Sequence, residues 1–234
     1  MPTAAVVIIG NEILSGKFGD ENAPWLVSRL RELGCDLGRI VTIPDVLDEI
    51  AAEVSHCATR FDWVLTTGGV GPTHDDLTFE GVGRAFGVGV YRHPELSAIL
   101  VNKLGDNCND AALRMAEIPE GAALWWDGGF VYPLVVMRTV CIFPGGPALL
   151  RLKFDAGAHR FAGTPVTTDR IVTRRSEPEI AAALTEAAQR WPSVAIGSYP
   201  RLEERPVVVI VTMESRETGA LADCAAFLRQ RVPA

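Results

Sequence analysis

Between Thr66 and Thr78 the chain reads TTGGVGPTHDDLT. Gly68, Gly69 and Gly71 crowd together, and two adjacent carboxylates, Asp75 and Asp76, follow closely. Glycine lets the main chain take positive φ and approach a ligand. Successive amides in such a turn face one side and form an anion nest, and a helix starting just beyond adds its positive end. A phosphate or pyrophosphate is the natural occupant. Two carboxylates beside it would repel it unless a cation intervenes, and a Mg²⁺-type ion held by one or two carboxylates and phosphate oxygens resolves the conflict. Such an ion polarises a phosphoryl group and activates a water. A plainer reading stands beside this one. The glycines make a tight strand-to-helix turn, and one aspartate caps the helix with Thr78 or Glu80 in its first turn. His74 reads as a surface residue.

Two further loops carry candidates. Gly10-Asn11-Glu12 follows the first apolar run, and Asp45 closes the stretch VTIPD. Asp45 also suits an ordinary helix cap, whereas an acid directly after Gly10-Asn11 has little structural need. Other phosphate motifs are absent. Gly16-Lys17 lacks the pattern of a Walker A loop, and the glycines from Gly81 to Gly87 have the wrong spacing for a dinucleotide fingerprint. No cysteine–histidine set suggests zinc.

The elements that must position these residues alternate. Ala4–Ile9 is a β-branched apolar run that reads as a strand buried on both faces. A helix follows, capped by Asp20 or Asn22, with Leu26, Leu30 and Leu33 on one face and Gly34 at its end. Arg39–Ile43 is a second strand, Leu47 to Cys57 a second helix and Asp62–Thr67 a third strand. That order predicts a parallel sheet with right-handed crossovers, whose strand ends bring Glu12, Asp45 and the two aspartates to one edge. Helices are expected from Phe79 to Phe86, Pro94 to Leu104 and Asp110 to Ala116. The Asp127-Gly128 pair is a hairpin signal. Val140–Phe143 is another buried strand, ended by Pro144-Gly145-Gly146-Pro147. After a linker at Ala158–Gly163, a small β-α-β-β-α unit is expected. The expected domains are residues 1–155 and 164–234.

Composition bounds the rest. The chain has 234 residues, 48% apolar and 22% charged, enough for a sizeable core. A net charge of −7 argues against nucleic acid as partner. No run approaches the length of a membrane span, and MPTAAVVIIGNE reads as a strand, not a signal peptide. Five scattered cysteines, an odd number with no CxxC pair, point to a reducing cytosol.

Taken together, the pieces resemble a known family. IIGNEILSGK, DENAPWL, VTIPD, TTGGVGPTHDDLT, MAEIPEGA and FPGGPALL, in that order, are similar to the MoaB/Mog-type molybdopterin-binding domain. The version is that found at the front of CinA-type proteins and in eukaryotic FAD synthase, and RRSEPEIAAAL and IGSYPRL resemble the small second domain of that group. The resemblance implies a three-layer α/β fold with a mostly parallel sheet and a small α+β second domain. It implies metal-dependent hydrolysis of a nucleotide pyrophosphate such as ADP-ribose or FAD. Asp45 and Asp76 match the two functional aspartates of the pterin-adenylylating members. With the residue reading added, catalysis is expected from Asp45, Asp76 and Glu12, and a divalent ion (Mg, Mn or Co) on Asp45, Asp75 and Asp76. Substrate contacts are expected at Gly10, Asn11, Gly68, Gly69, Gly71, Thr73, Thr78, Pro144, Gly145, Gly146 and Pro147, of which Thr78 and Pro144–Pro147 match family motifs around the pocket. Two alternatives stay open: adenylyl transfer to a pterin phosphate, and a pterin- or nucleotide-binding module without chemistry. Val70 replaces the family's usual threonine, and Gly146 a commoner branched residue. The sequence stops at Ala234, so any catalysis is expected from this region alone. A homo-oligomer is a further expectation, with Trp125-Trp126 either at an interface or buried under the hairpin.

Overall fold

Ala4 to Ile9 are buried on both faces, as their unbroken apolar character requires. They form β1 (Thr3–Ile9), followed by α1 (Asn11–Leu14), α2 (Asn22–Glu32), β2 (Asp36–Ile43), α3 (Leu47–Ala58), β3 (Trp63–Thr67), α4 (Thr78–Ala85) and β4 (Val90–Arg92). Then come α5 (Pro94–Leu104), α6 (Asp110–Arg114), β5 (Glu117–Pro119), β6 (Ala123–Trp125), β7 (Leu134–Met137), β8 (Val140–Phe143) and α7 (Pro147–Gly157). The second unit contains β9 (Thr167–Thr173), α8 (Glu177–Arg190), β10 (Ala195–Arg201), β11 (Val208–Ser215) and α9 (Thr218–Arg231). This computed structural model describes residues 1–203 and 205–233, in two units, Met1–Gly163 and Thr164–Ala234.

The first unit is a three-layer α/β sandwich. Its main sheet has the order β2-β1-β3-β8-β7-β6. The first four strands run parallel, and β7 and β6 are added antiparallel. Alternate residues of β1 feed opposite layers, as period-2 geometry dictates. Ala5, Val7 and Ile9 pack with Ile50 and Val54 of α3 and Leu96 and Leu100 of α5. Ala4, Val6 and Ile8 pack with Leu26 and Leu30 of α2 and Leu150 and Phe154 of α7. The second unit is the expected β-α-β-β-α, with an antiparallel sheet ordered β10-β11-β9. Ser176 and Glu179 form a capping box at the start of α8. Among the described residues no helix is long and apolar enough to cross a membrane.

Three local expectations are corrected. The tight hairpin turn is Arg138-Thr139, between Met137 and its partner Val140, with Arg138 at φ 54°. Asp127-Gly128 instead sits in a short 3₁₀ turn within a longer β6–β7 connection. Asp127 is engaged there by the Arg160 guanidinium at 3.0–3.1 Å, so the pair is not free to make a two-residue loop. The segment expected as a linker, Ala158–Gly163, belongs to the first core. Phe161 is fully buried and stacks on Phe154 with centroids 5.1 Å apart. Finally, Gly10-Asn11-Glu12 opens the short helix α1 rather than a loop.

Phe154 also meets Trp25 edge-on at 5.4 Å and Phe143 at 6.1 Å. Phe154→Ala is therefore expected to destabilise the first unit by about 3–5 kcal/mol. Leu152→Ala, on the exposed side of the same helix, should stay within about 0.5 kcal/mol. Urea unfolding followed by tryptophan fluorescence measures both.

Candidate functional site

The site begins where β1, β3 and β8 end side by side. At the end of β3, a β-carbon on residue 68 would lie 2.1 Å from the carbonyl oxygen of Ile9, and Gly68 has φ +99°. At residue 69, with φ +61°, a β-carbon would lie 2.4 Å from the Thr78 hydroxyl oxygen. Both positions therefore require glycine. Thr78, fully buried, donates its hydroxyl to the Gly68 carbonyl at 2.8 Å and its amide to the Gly69 carbonyl at 3.0 Å. Its polar groups are spent inside the protein, so it shapes the loop and has no free hydroxyl for a substrate. Among the described residues the amides of Gly69, Val70 and Gly71 donate to no acceptor within the chain.

Gly71 is needed for a different reason from the expected one. Its φ is not positive. The missing β-carbon makes room for the Asp76 carboxylate, whose Oδ2 lies 2.7 Å from that position. Asp76 accepts from the Thr73 amide at 2.7 Å and from the Thr73 hydroxyl, closing the loop on itself. Neither Asp75 nor Asp76 makes a side-chain cap to α4.

Asp45 likewise does not cap its helix; its Oδ2 accepts from the Asn11 amide at 2.7 Å. Half-buried, it has its carboxyl pushed above the usual range by burial first and by the charges of Glu12 and Asp75, against the lowering pull of that amide. The acids whose charges reach Asp45 are thus Glu12 and Asp75. Asp76, expected in the metal set, is turned toward Thr73. Asp75 is exposed beside His74, at 3.8 Å.

The turn Pro144-Gly145-Gly146-Pro147 completes the floor. A β-carbon on Gly145 would stand 3.3 Å from the α-carbon of Gly68. Asn22, read from sequence only as a helix cap, braces this approach. Asp20 takes the capping role, accepting from the amides of Asn22 and Ala23. Asn22 is thereby free to donate its Nδ2 to the Thr67 hydroxyl at 2.9 Å and to the Gly145 carbonyl at 2.7 Å. Thr67 donates its own hydroxyl hydrogen bond to the Pro144 carbonyl at 3.2 Å.

Two cavities flank this seam. The larger, about 660 Å³, is lined by Glu12, Gly68, Gly69, Val70, Gly71 and Asp76 and by the apolar walls Phe79, Leu100, Met115, Phe130 and Tyr132. The smaller, about 230 Å³, is lined by Glu12, Asp20, Glu21, Asn22, Gly68, Gly145 and Pro147. Glu12, Gly68 and Gly145 belong to both. Gly10, Asn11, Asp45, Thr73, Asp75, Thr78 and Gly146 are not among the lining residues of either. Sequence reasoning missed Lys153, which lines the large cavity while only 7% exposed. Its signal was a lysine on the apolar stripe of α7, in register with the buried Leu150, Phe154 and Gly157.

Residues 5–162 match a family profile described as "Probable molybdopterin binding domain". The chain belongs to the molybdopterin-binding domain family. Residues 165–234 match a second profile, "FAD synthase, middle domain". A protein of Archaeoglobus fulgidus is 33% identical over 212 residues, covering 91% of this chain and 90% of that one. A "Probable FAD synthase" of Caenorhabditis briggsae is 30% identical over 249 residues, or 94% of this chain. The match covers 47% of that protein, so this chain spans about half its length. The crystal structure of CinA from Thermoplasma acidophilum superposes with a TM-score of 0.63 at 28% identity, covering 69% of this chain and 99% of that one. The likeness to CinA-type and FAD-synthase chains expected from the motifs is met.

Two measurements test this geometry. Gly68→Ala should destabilise the first unit by at least about 2 kcal/mol, from strain and collision with Ile9. Gly146→Ala, with φ −68° and open space around it, should be near neutral in the same unfolding assay. Burial lowers the pKa of Lys153 from 10.5 to about 8. The unfolded chain then holds more protons between pH 8 and 10.5, so this group's contribution to stability rises with pH across that window. Unfolding midpoints of the wild type and Lys153→Met, compared over that range, should show the slope only in the wild type.

Proposed function

We propose that this chain hydrolyses a nucleotide pyrophosphate of the ADP-ribose or FAD kind, with a divalent cation (Mg²⁺, Mn²⁺ or Co²⁺) as cofactor. The observation that carries the reading is the run of unengaged amides at Gly69, Val70 and Gly71 in the wall of the large cavity. Backbone donors in that arrangement bind the diphosphate. Glu12, on the seam between the cavities, takes a proton from the attacking water. The water oxygen bonds to one phosphorus, and the bond from that phosphorus to the bridging oxygen breaks. The electron pair leaves with the other phosphate, and AMP is one of the two monophosphate products. The apolar walls hold the organic end of the substrate and keep bulk water from it.

The acids present suit a cation shared with the substrate. Among the described residues no three acidic, histidine or cysteine side chains form a ready cage, but a Mg²⁺-type ion held by one or two carboxylates and phosphate oxygens needs none. Asp45, whose charge is opposed by burial, Glu12 and Asp75, is relieved by a neighbouring cation. Asp45 with Asp75 would hold it, and Asp76 would keep the loop in shape through Thr73. When bound, the ion neutralises phosphate charge and lowers the pKa of the attacking water. Free, mostly buried cysteines accord with a cytosolic setting.

Membership of the molybdopterin-binding family favours a second reading, adenylyl transfer to a pterin phosphate on the same loop. A binding module without turnover is the third. The purified chain is incubated with ADP-ribose, FAD or NAD and each metal, and AMP is measured. Metal-dependent release should fall by about 10²–10⁴ in Glu12→Gln and be abolished in Asp45→Asn. Release that survives both substitutions refutes the assignment. Product from ATP and molybdopterin without hydrolysis establishes the second reading, and saturable binding without turnover the third.

A further inference from the structure

Two lysines that the hydrolysis reading leaves unused line the cavity, the exposed Lys103 and the buried Lys153. Lys153 projects from the buried face of α7. Two of its protons go to the main-chain carbonyls of Tyr132, at 2.6 Å, and Pro133, at 3.0 Å. Among the described residues the third has no acceptor, and no carboxylate stands within ion-pair distance. The rings of Phe130 and Tyr132 lie 5.5 and 5.8 Å from its nitrogen. A buried ammonium without a counter-charge is costly, and its carbonyl partners and the two ring faces offset only part of that cost. Burial lowers its pKa to about 8, so the amine still carries its proton at pH 7.

The surroundings define what the free proton is fit to meet. Phe79, Leu100, Met115, Phe130 and Tyr132 line the same cavity, the last two beside the ammonium. Such walls accept a flat ring and reject a hydrated anion. A ring oxygen satisfies both demands at once: the ring packs on the apolar wall while its oxygen accepts from the ammonium. An exocyclic amino group in the same place would set donor against donor and leave both unpaired, which a buried site penalises heavily.

We propose that Lys153 makes this cavity selective for a base whose ring carries a carbonyl oxygen, such as an oxopurine, an oxopteridine or an isoalloxazine, over adenine. The proposal rests on the diphosphate-binding part of the function proposed above and, of the two kinds of substrate named there, favours the FAD kind, whose flavin end would fill the cavity, over ADP-ribose, whose only base is adenine. It makes Lys153 a specificity-determining residue, separate from the groups that handle phosphorus.

Inosine 5′-diphosphate and adenosine 5′-diphosphate share sugar and phosphates and differ at the base, an oxygen on one and an amino group on the other. Their binding to the whole chain is measured by calorimetry at pH 7 with Mg²⁺. The inosine nucleotide should bind at least about tenfold tighter. In Lys153→Met the two should bind within about twofold of each other, with adenosine diphosphate held at least as tightly as in the wild type. Riboflavin 5′-phosphate, followed by its own fluorescence, should lose affinity in the same variant. Equal binding of the two diphosphates to the wild type, or tighter binding of the adenine form, overturns the proposal without recourse to any variant and leaves the diphosphate site standing. A preference that persists in Lys153→Met overturns the role of Lys153. Failure of both nucleotides to bind removes the nucleotide reading, and this proposal with it.

Discussion

No side chain fits between residue 68 and the carbonyl of Ile9, and the geometry of the site follows from that exclusion. With glycine there, β3 can end against β1 and turn sharply. The next residue presses on Thr78, whose hydroxyl and amide fasten the carbonyls of Gly68 and Gly69 from below. Carbonyls drawn inward leave the following amides without internal partners. Gly145, whose β-carbon would stand 3.3 Å from the Gly68 α-carbon, lets the Pro144–Pro147 turn pack against the same stretch. The wall between the two cavities is therefore little more than main chain, and Asn22 holds it by bonding to both sides at once.

Charge around this wall is divided. The charges of Glu12 and Asp75 both bear on Asp45, whereas Lys153 sits at an aromatic wall without a carboxylate partner among the described residues. A ligand with a charged middle and a flat, polar-edged end matches that division better than a simple phosphate would. An overall charge of −7 does not oppose such a ligand, because local amides and one buried cation act over a few ångströms while distant surface charges are screened.

Much of this could be read from residue order. The apolar run at Ala4–Ile9 required a strand covered on both faces, and the glycine-rich stretch required a special turn after β3. Partnership was less legible, because it depends on atoms far apart in the chain. Asn22 and Asp20 both suit a helix start, and only folding decides that Asp20 caps while Asn22 reaches Thr67 and Gly145. Asp76 reads as a ligand-facing acid and lines the large cavity, but the sequence does not say that Thr73, three residues back, also engages its Oδ2. Asp127-Gly128 carries a hairpin signal that Arg160, brought in from beyond α7, overrides. Lys153 was visible only as a misplaced charge on an apolar stripe, and periodicity does not say what surrounds it.

The main sheet stops at β6, a strand of three residues whose Trp125 is held between Trp63 and the Arg160 guanidinium. So short a margin presents few vacant main-chain groups to a strand from another molecule. Copies of this protein that meet along that border are denied a continuous ladder, and any lasting assembly there is left to side chains.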